Sequence, residues 1–338
     1  MLTHSSTPQR SLWFPPEGPD FDVVVLSEIR LTRNLAMIPF PHRMGSSDVV
    51  ELRKQVERAF QEQDETYQLL DGEALSEPLR AAYRFRGYFA PEPAPPLAVI
   101  HESTSSFVRL GDEDHLEVSA RAGGFELQDP RERCDHIDTL LERDLDYAVS
   151  LQLGYLGPDI RRVGSGLSAM VYLHIPALEQ SDATDAIQSP GAETHAVERI
   201  GQLYRVSYRA TAGETEEATL GTLADYARRL LHYEREARDE LVRHHGDAVS
   251  EAGHRALGTL LHAQRLDASE SAELFNVLRF AVATGGVEDI SLSAVTELML
   301  MSHDSQIVAM TEDDGSTLDV RRARLIKKLY RSRTGTGE

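Results

Sequence analysis

The apolar residues of this chain keep two different periods, which divides it into two regions. Up to about residue 220 they alternate or come in short runs, as in VVVL at 23–26, SSFVRL at 105–110, HLEVSARAG at 115–123, SAMVYLHIPAL at 168–178 and LYRVSYRA at 203–210. Beyond Thr222 they recur every three or four positions. Leu223, Tyr226, Leu230, Ala237 and Leu241 trace a helical stripe that Thr222 opens in capping-box spacing with Asp225, and from Gly253 onward the pattern stays helical. The strands show no regular βαβ rhythm. An α+β chain is expected: a disordered tail over 1–20, an antiparallel sheet flanked by helices over 21–248, and an all-α domain over 249–338.

Within the first region, Ser46, Ser47 or Asp48 caps a helix with Val49, Leu52, Val56 and Phe60 on one face, and YQLLDGEALSEPLRAAYRF reads as a second helical stretch. Gly111, Asp112, Glu113 and Asp114 join SSFVRL to HLEVSARAG as a hairpin, and HIDTLLERDLDYAVSLQL reads as a third helix. With 55 acidic against 35 basic residues the net charge is -20, which argues against nucleic acid or an anionic membrane as partner. The one cysteine, Cys134, excludes an intrachain disulfide framework and a multi-cysteine zinc site. The polar, proline-bearing N-terminus is unlike a signal peptide and no apolar run reaches the length of a membrane span, so a soluble cytoplasmic protein is expected.

Taken singly, the chemical signals stay open. The DEDH cluster at 112–115 suits a general base, a metal site or a solvated hairpin tip; Gly164-Ser165-Gly166 suits a phosphate cradle or an ordinary turn. Arg205 and Arg209 share a strand face that clamps an anion or simply lies at a sheet edge, and Met299 and Met301 read as core.

Their order carries more. VVVLSEIRLTRNL followed by PFP, then GDEDHLEV, GYLGPDIRRVGSGLSAMVYLHIP and RATAGE, resembles the phosphagen kinases, above all the bacterial protein-arginine kinases of the McsB type, which read SSRIRLARNL, NEEDHLRI, GYLTxCPTNxGTGxRAS and RGxxGE. The resemblance runs from about Val23 to the C-terminus. It implies the guanidino-kinase fold, a helical C-terminal domain, dimers through that domain, and transfer of the γ-phosphoryl of Mg-ATP to a guanidinium. Such transfer depends mostly on positioning and on neutralising phosphate charge.

Carried over by position, the resemblance implies Glu113 and Glu214 as the carboxylates that hold and deprotonate the guanidinium. Arg30 and Arg209 match two of five phosphate-binding arginines. The other three positions hold Glu28, Glu117 and Ser168, the motif cysteine becomes Asp159, and the neighbouring Thr-Asn becomes Arg161-Arg162. Arg33, Arg161 and Arg162 stand near enough in sequence to compensate. Two arginines against two glutamates sum to zero charge where the family has five positive charges. Loss of one donor aimed at developing charge costs roughly a hundred- to thousand-fold in rate.

In the tail, LDVRRA resembles the RDxxRA-type phosphoarginine motif of the family, keeping Asp319, Arg322 and Ala323 without the leading arginine. The resulting expectation is a pseudokinase without a metal site, with a binding or regulatory role in protein quality control. Its partners would be arginine-bearing or phosphoarginine proteins, an active kinase, or a protease–chaperone system. The alternative is an active protein-arginine kinase using Mg-ATP through a rebuilt clamp.

Overall fold

The computed structural model describes residues 2–4, 14–61, 67–91, 96–101, 104–111, 113–160, 163–181, 183–187 and 195–334. By its internal contacts the chain divides into two compact units: Met1–Tyr172 with Ser189–Ala196 and Val206–Ala227, and Leu173–Gln188 with Val197–Arg205 and Arg228–Glu338.

The strands are β1 (Leu2–His4), β2 (Val24–Arg33), β3 (Tyr67–Asp71), β4 (Leu97–His101), β5 (Ser106–Leu110), β6 (Leu116–Gly123), the short pair β7 (Val149–Ser150) and β8 (Gly154–Tyr155), β9 (Leu167–Leu173), β10 (His195–Ile200) and β11 (Leu203–Arg209). All but β7 and β8 join a nine-stranded sheet in the order β1-β3-β4-β5-β6-β2-β9-β11-β10. β2 pairs antiparallel with β6, β6 with β5, β5 with β4 and β4 with β3.

Alternation along these strands gives the sheet two unlike faces. One face carries Ile29 and Leu31 of β2 with Val118 and Ala120 of β6, all buried with Cys134, Ile137 and Leu141 of helix α3 (Gln128–Glu142). The Cys134 thiol sits 3.4 Å from the Ile29 carbonyl, and burial pushes its pKa well up, so it is an inert core residue. Each of the large aliphatic side chains there contributes about 1.5–3 kcal/mol by leaving water. The opposite face carries charge at alternate positions, and it holds the candidate site.

Helices α1 (Ser46–Gln61) and α2 (Glu77–Phe85) complete the N-terminal part. α1 buries Leu52, Val56, Ala59 and Phe60, and Asp48 Oδ2 accepts from the Gly45 N–H at 2.8 Å. Helix α4 (Pro176–Glu179) belongs to the second unit, while the long α5 (Glu216–His262) has residues in both units and non-helical backbone at His245. Helices α6 (Ala268–Ala283), α7 (Leu292–Met301), α8 (Asp304–Met310) and α9 (Leu318–Thr334) follow, burying Phe275, Leu278, Val295, Leu298, Ile307 and Ile326. Asp267 and Ser291 cap α6 and α7 through the Glu270 and Ala294 N–H groups.

Several local expectations change. YQLLD is strand β3, because Tyr67, Leu69 and Leu70 are buried and the segment pairs with β4; Gly72–Ala74 is a 3-10 turn and only EPLRAAYRF is α-helical. α3 ends at Glu142, and DYAVSLQL forms turns and β7 instead of continuing it. Thr222 lies inside α5, its hydroxyl donating to the Ala218 carbonyl at 2.8 Å, so the helix begins six residues before the proposed cap. Within the N-terminal 20 residues, Leu2–His4 pairs with β3, and the Pro19 carbonyl accepts from the Phe125 N–H at 2.6 Å.

Candidate functional site

Register fixes the charged face. Glu28 stands opposite Arg121, Arg30 opposite Ser119 and Thr32 opposite Glu117 across β2 and β6; Arg109 and Phe107 of β5 stand opposite Glu117 and Ser119. At the centre is Glu28, fully buried. Its Oε1 accepts from Arg30 Nε at 2.9 Å and Arg121 Nη2 at 3.3 Å, while Oε2 makes no hydrogen bond among the described residues. Burial alone would raise the pKa of Glu28, but the adjacent Arg121 and Arg30 guanidiniums outweigh it and hold the carboxyl down to about 2.

Glu117 continues the array. Arg109 Nη2 donates to its Oε2 at 2.9 Å, Ser119 Oγ donates to its Oε1 at 3.3 Å, and Arg30 Nε lies 3.5 Å from the same oxygen. Burial disfavours the Arg30 charge, yet Glu117 and Glu28 together raise its pKa above the ordinary arginine value. Arg121 Nη1 donates to the Arg86 carbonyl at 2.7 Å, and its guanidinium lies 4.8 Å from the Phe107 ring centroid. Three arginines therefore interlock with two glutamates.

At the end of the sheet where β6 begins, β2 ends, β9 begins and β11 ends, two turns carry Glu113 and Glu214. Glu113 is exposed. Its neighbours are structural: Asp114 Oδ1 accepts from Asn34 Nδ2 at 2.7 Å, and His115 Nδ1 accepts from the Leu35 N–H at 2.9 Å. His115 Nε2 lies 2.7 Å from the Pro39 carbonyl; with Nδ1 an acceptor, this nitrogen carries the proton, and burial keeps the ring's pKa below its ordinary value. Glu214 accepts from Tyr208 Oη at 2.7 Å and from the Thr211 N–H at 3.1 Å. Between these turns, Gly166 O accepts from the Thr32 N–H at 3.0 Å and Leu167 O from the Ala210 N–H at 2.9 Å. Counted along antiparallel strands from those bonds, Ser168 falls beside Arg30 and Arg209 beside Ser168. β6 and β11 are three strand spacings apart, roughly 14 Å.

More than half of this chain matches a known family. The model of the ATP:guanido phosphotransferase C-terminal catalytic domain matches residues 51–237. The chain belongs to this family. Residues 247–336 match the protein-arginine kinase McsB C-terminal domain. Among relatives, the protein-arginine kinase of Halothermothrix orenii is 28% identical over 333 residues, covering 94% of this chain and 95% of the relative. That of Bacillus subtilis is 26% identical over 348 residues, covering 97% and 95%. Among solved structures, the duplicated taurocyamine kinase from Schistosoma mansoni with bound transition state analog components aligns at TM-score 0.56 and 18% identity, over 69% of this chain and 35% of that one. Lombricine kinase aligns at TM-score 0.54 and 14% identity, over 69% and 71%. These two share the fold.

Family membership brings an ATP-dependent phosphotransfer into view, and on the charged face a triphosphate would meet two carboxylates beside Arg30. Glu28 and Glu117 occupy the strand face that holds Arg30, and Arg30 Nε is spent on them. Arg33, expected to compensate, faces the other way. Its Nη2 lies 2.6 Å from Asp138 Oδ2, its Nη1 donates to the Thr32 and Ser165 carbonyls, and its guanidinium stacks 3.5 Å from the Tyr155 ring centroid. Arg161, Arg162 and Asp112 lie outside the described residues. Arg205 pairs with Glu198 of β10, whereas Arg209 is exposed. Asp159 is half-buried and Ser168 buried.

Charge counting along the sequence missed Arg109 and Arg121. A turn drawn at Gly111 to Asp114 sets Arg109 against Leu116; ending it one residue later, at His115, sets Arg109 against Glu117, and period two puts Arg121 on the same face.

In the second unit, Asp319 and Arg322, the expected phosphoarginine residues, are tied to each other and to neighbouring groups. Arg322 is buried; it donates to Ser302 O at 3.0 Å and Leu266 O at 2.6 Å, and pairs with Asp304 and with Asp319 at 3.3 Å. Asp319 also lies 3.5 Å from Arg265 Nη2. Arg322 thus serves as an internal strut joining α9 to the α5–α6 and α7–α8 turns, since its donors already have acceptors.

Proposed function

We propose that this chain is a pseudokinase of the protein-arginine kinase family, a cytoplasmic module that binds arginine-bearing proteins without efficient phosphoryl transfer. One observation carries the reading: Glu28, ionised and buried, holds Arg30 and Arg121 inside the fold at the place where the resemblance puts a phosphate-binding arginine. A phosphate approaching this face meets two carboxylates already paired with the guanidiniums it would need, and it must displace them. The rim carboxylates Glu113 and Glu214 persist, which suits recognition of a guanidinium.

Calorimetric titration with Mg-ATP is the test. Binding weaker than millimolar is expected. Micromolar binding that Arg30→Ala abolishes, with phosphoarginine formed on a test protein, would refute the reading.

A second reading, a working kinase with a rebuilt clamp, is favoured by Arg30 itself, whose two Nη groups make no hydrogen bond among the described residues. Arg109 and Arg121 add positive charge nearby. The same titration decides between the two readings.

A further inference from the structure

Apolar side chains are concentrated on the rim between the two carboxylate turns. Val149 is 60% exposed, Leu151 fully exposed, Leu153 42% and Ile160 72%. β7 and β8 pair Val149 with Tyr155 and Ser150 with Gly154, so Leu151 and Leu153 form the tip of a hairpin and Ile160 follows in the next turn. Isolated surface leucines need no explanation, whereas four exposed aliphatic side chains within twelve residues do.

The base of the hairpin is fixed. Leu156 N–H donates to Ala148 O at 2.8 Å, Tyr155 and Gly164 exchange hydrogen bonds at 2.8 and 3.1 Å, and Arg33 stacks on the Tyr155 ring. The hairpin is also tied to both carboxylate turns. Asn34 Nδ2 donates to Asp114 Oδ1 at 2.7 Å and to Leu156 O at 3.0 Å, joining its exit to the Glu113 turn. On the other side Gly164 abuts Thr211, near enough that a Cβ on the glycine would lie 3.3 Å from Thr211 O, and the Thr211 N–H donates to Glu214. Exposed Glu142, Arg143, Asp144 and Asp146, three acids to one base, immediately precede the hairpin.

We infer that this hairpin is a docking ledge for an extended segment of another protein, one whose apolar side chains flank a basic residue. The chemistry selects this occupant. Leu151 and Leu153 offer area to apolar side chains, and the acids on either side attract a guanidinium or ammonium. The same acids, on a chain of net charge -20, repel an anionic membrane. The basic residue's destination, between Glu113 and Glu214, rests on the function proposed above; the apolar contact does not.

The test is fluorescence anisotropy of the full chain with a labelled peptide of alternating leucine and serine around one central arginine. The variant Leu151→Ser/Leu153→Ser alters only exposed side chains and should bind at least about tenfold more weakly, the equivalent of one buried aliphatic side chain. A peptide with glutamate in place of arginine should also bind the wild-type chain more weakly. Equal affinity for wild type and variant, or no binding by the wild type, overturns the ledge. So does a leucine dependence seen only in sedimentation mass or in binding to anionic vesicles. Mg-ATP titration of the same sample keeps the two ideas apart: tight nucleotide binding with leucine-dependent peptide capture removes the pseudokinase and leaves the ledge standing.

Discussion

Glu28 and Arg121 stand directly opposite each other on β2 and β6, with Arg121 Nη2 3.3 Å and Arg30 Nε 2.9 Å from the same Glu28 oxygen. Glu28→Gln removes the charge that both guanidiniums face inside the sheet. Breaking a buried pair from one side costs about 3–5 kcal/mol. Urea denaturation should show a loss of that order, and Arg121→Gln in the Glu28→Gln background should add less than it costs alone. Strict additivity would mean that the two side chains do not act as a pair.

The same carboxylate sets an acid limit. Its folded pKa, about 2, lies below the ordinary glutamate value of 4.5, so below about pH 4.5 the unfolded chain binds a proton that the folded chain refuses. The stabilisation is complete above that pH and is lost as the pH falls towards 2. Denaturation series across this window should show a steeper decline for the wild-type chain than for Glu28→Gln.

Glu117 competes with any anion for Arg30 and Arg109. Glu117→Gln removes a negative charge and leaves both arginines charged. Affinity for pyrophosphate, measured by calorimetry, should therefore rise, by roughly tenfold for each 1.4 kcal/mol of repulsion removed. A fall in affinity would show that Glu117 positions the arginines for the anion instead of occupying them.

His174 tests the second unit in a different window. It is fully buried with Nε2 2.7 Å from Asn276 Oδ1, and burial, reinforced by Arg279 and Arg238, pushes its pKa well below 6.5. The unfolded chain gains a proton below about pH 6.5 that the folded one excludes, so stability falls as pH drops through that value and is flat above it. Thermal melting between pH 7.5 and 5 should show this slope in the wild-type chain and a smaller one in His174→Gln.

Arg322→Ala should lower thermal stability, because it leaves the Ser302 and Leu266 carbonyls and the Asp319 and Asp304 carboxylates without a shared donor. A loss of about 2–4 kcal/mol is expected from a buried charged network. Free phosphoarginine should leave the melting temperature of the wild-type chain unchanged. A clear upward shift would restore Arg322 to a binding role.

Much of the fold was legible in the residues themselves. Period two in SSFVRL and HLEVSARAG set the β5–β6 hairpin, and the helical stripes beyond Gly253 set the C-terminal helices, because burial of one face leaves a periodic trace in sequence. Tyr67–Asp71 was misread because a short apolar run fits a buried strand or a helix equally, and only pairing with β4 decides between them. The order of motifs was enough to point to the family and to single out Glu28 and Glu117 as acids in arginine places. What those acids do was a tertiary matter. Arg109 and Arg121 meet them only through strand register, Arg33 turns to Asp138 because alternation puts it on the opposite face, and Arg322 is enclosed by helices distant in sequence. Charge can be counted along a chain, but its partners are fixed by which strands and helices pack together.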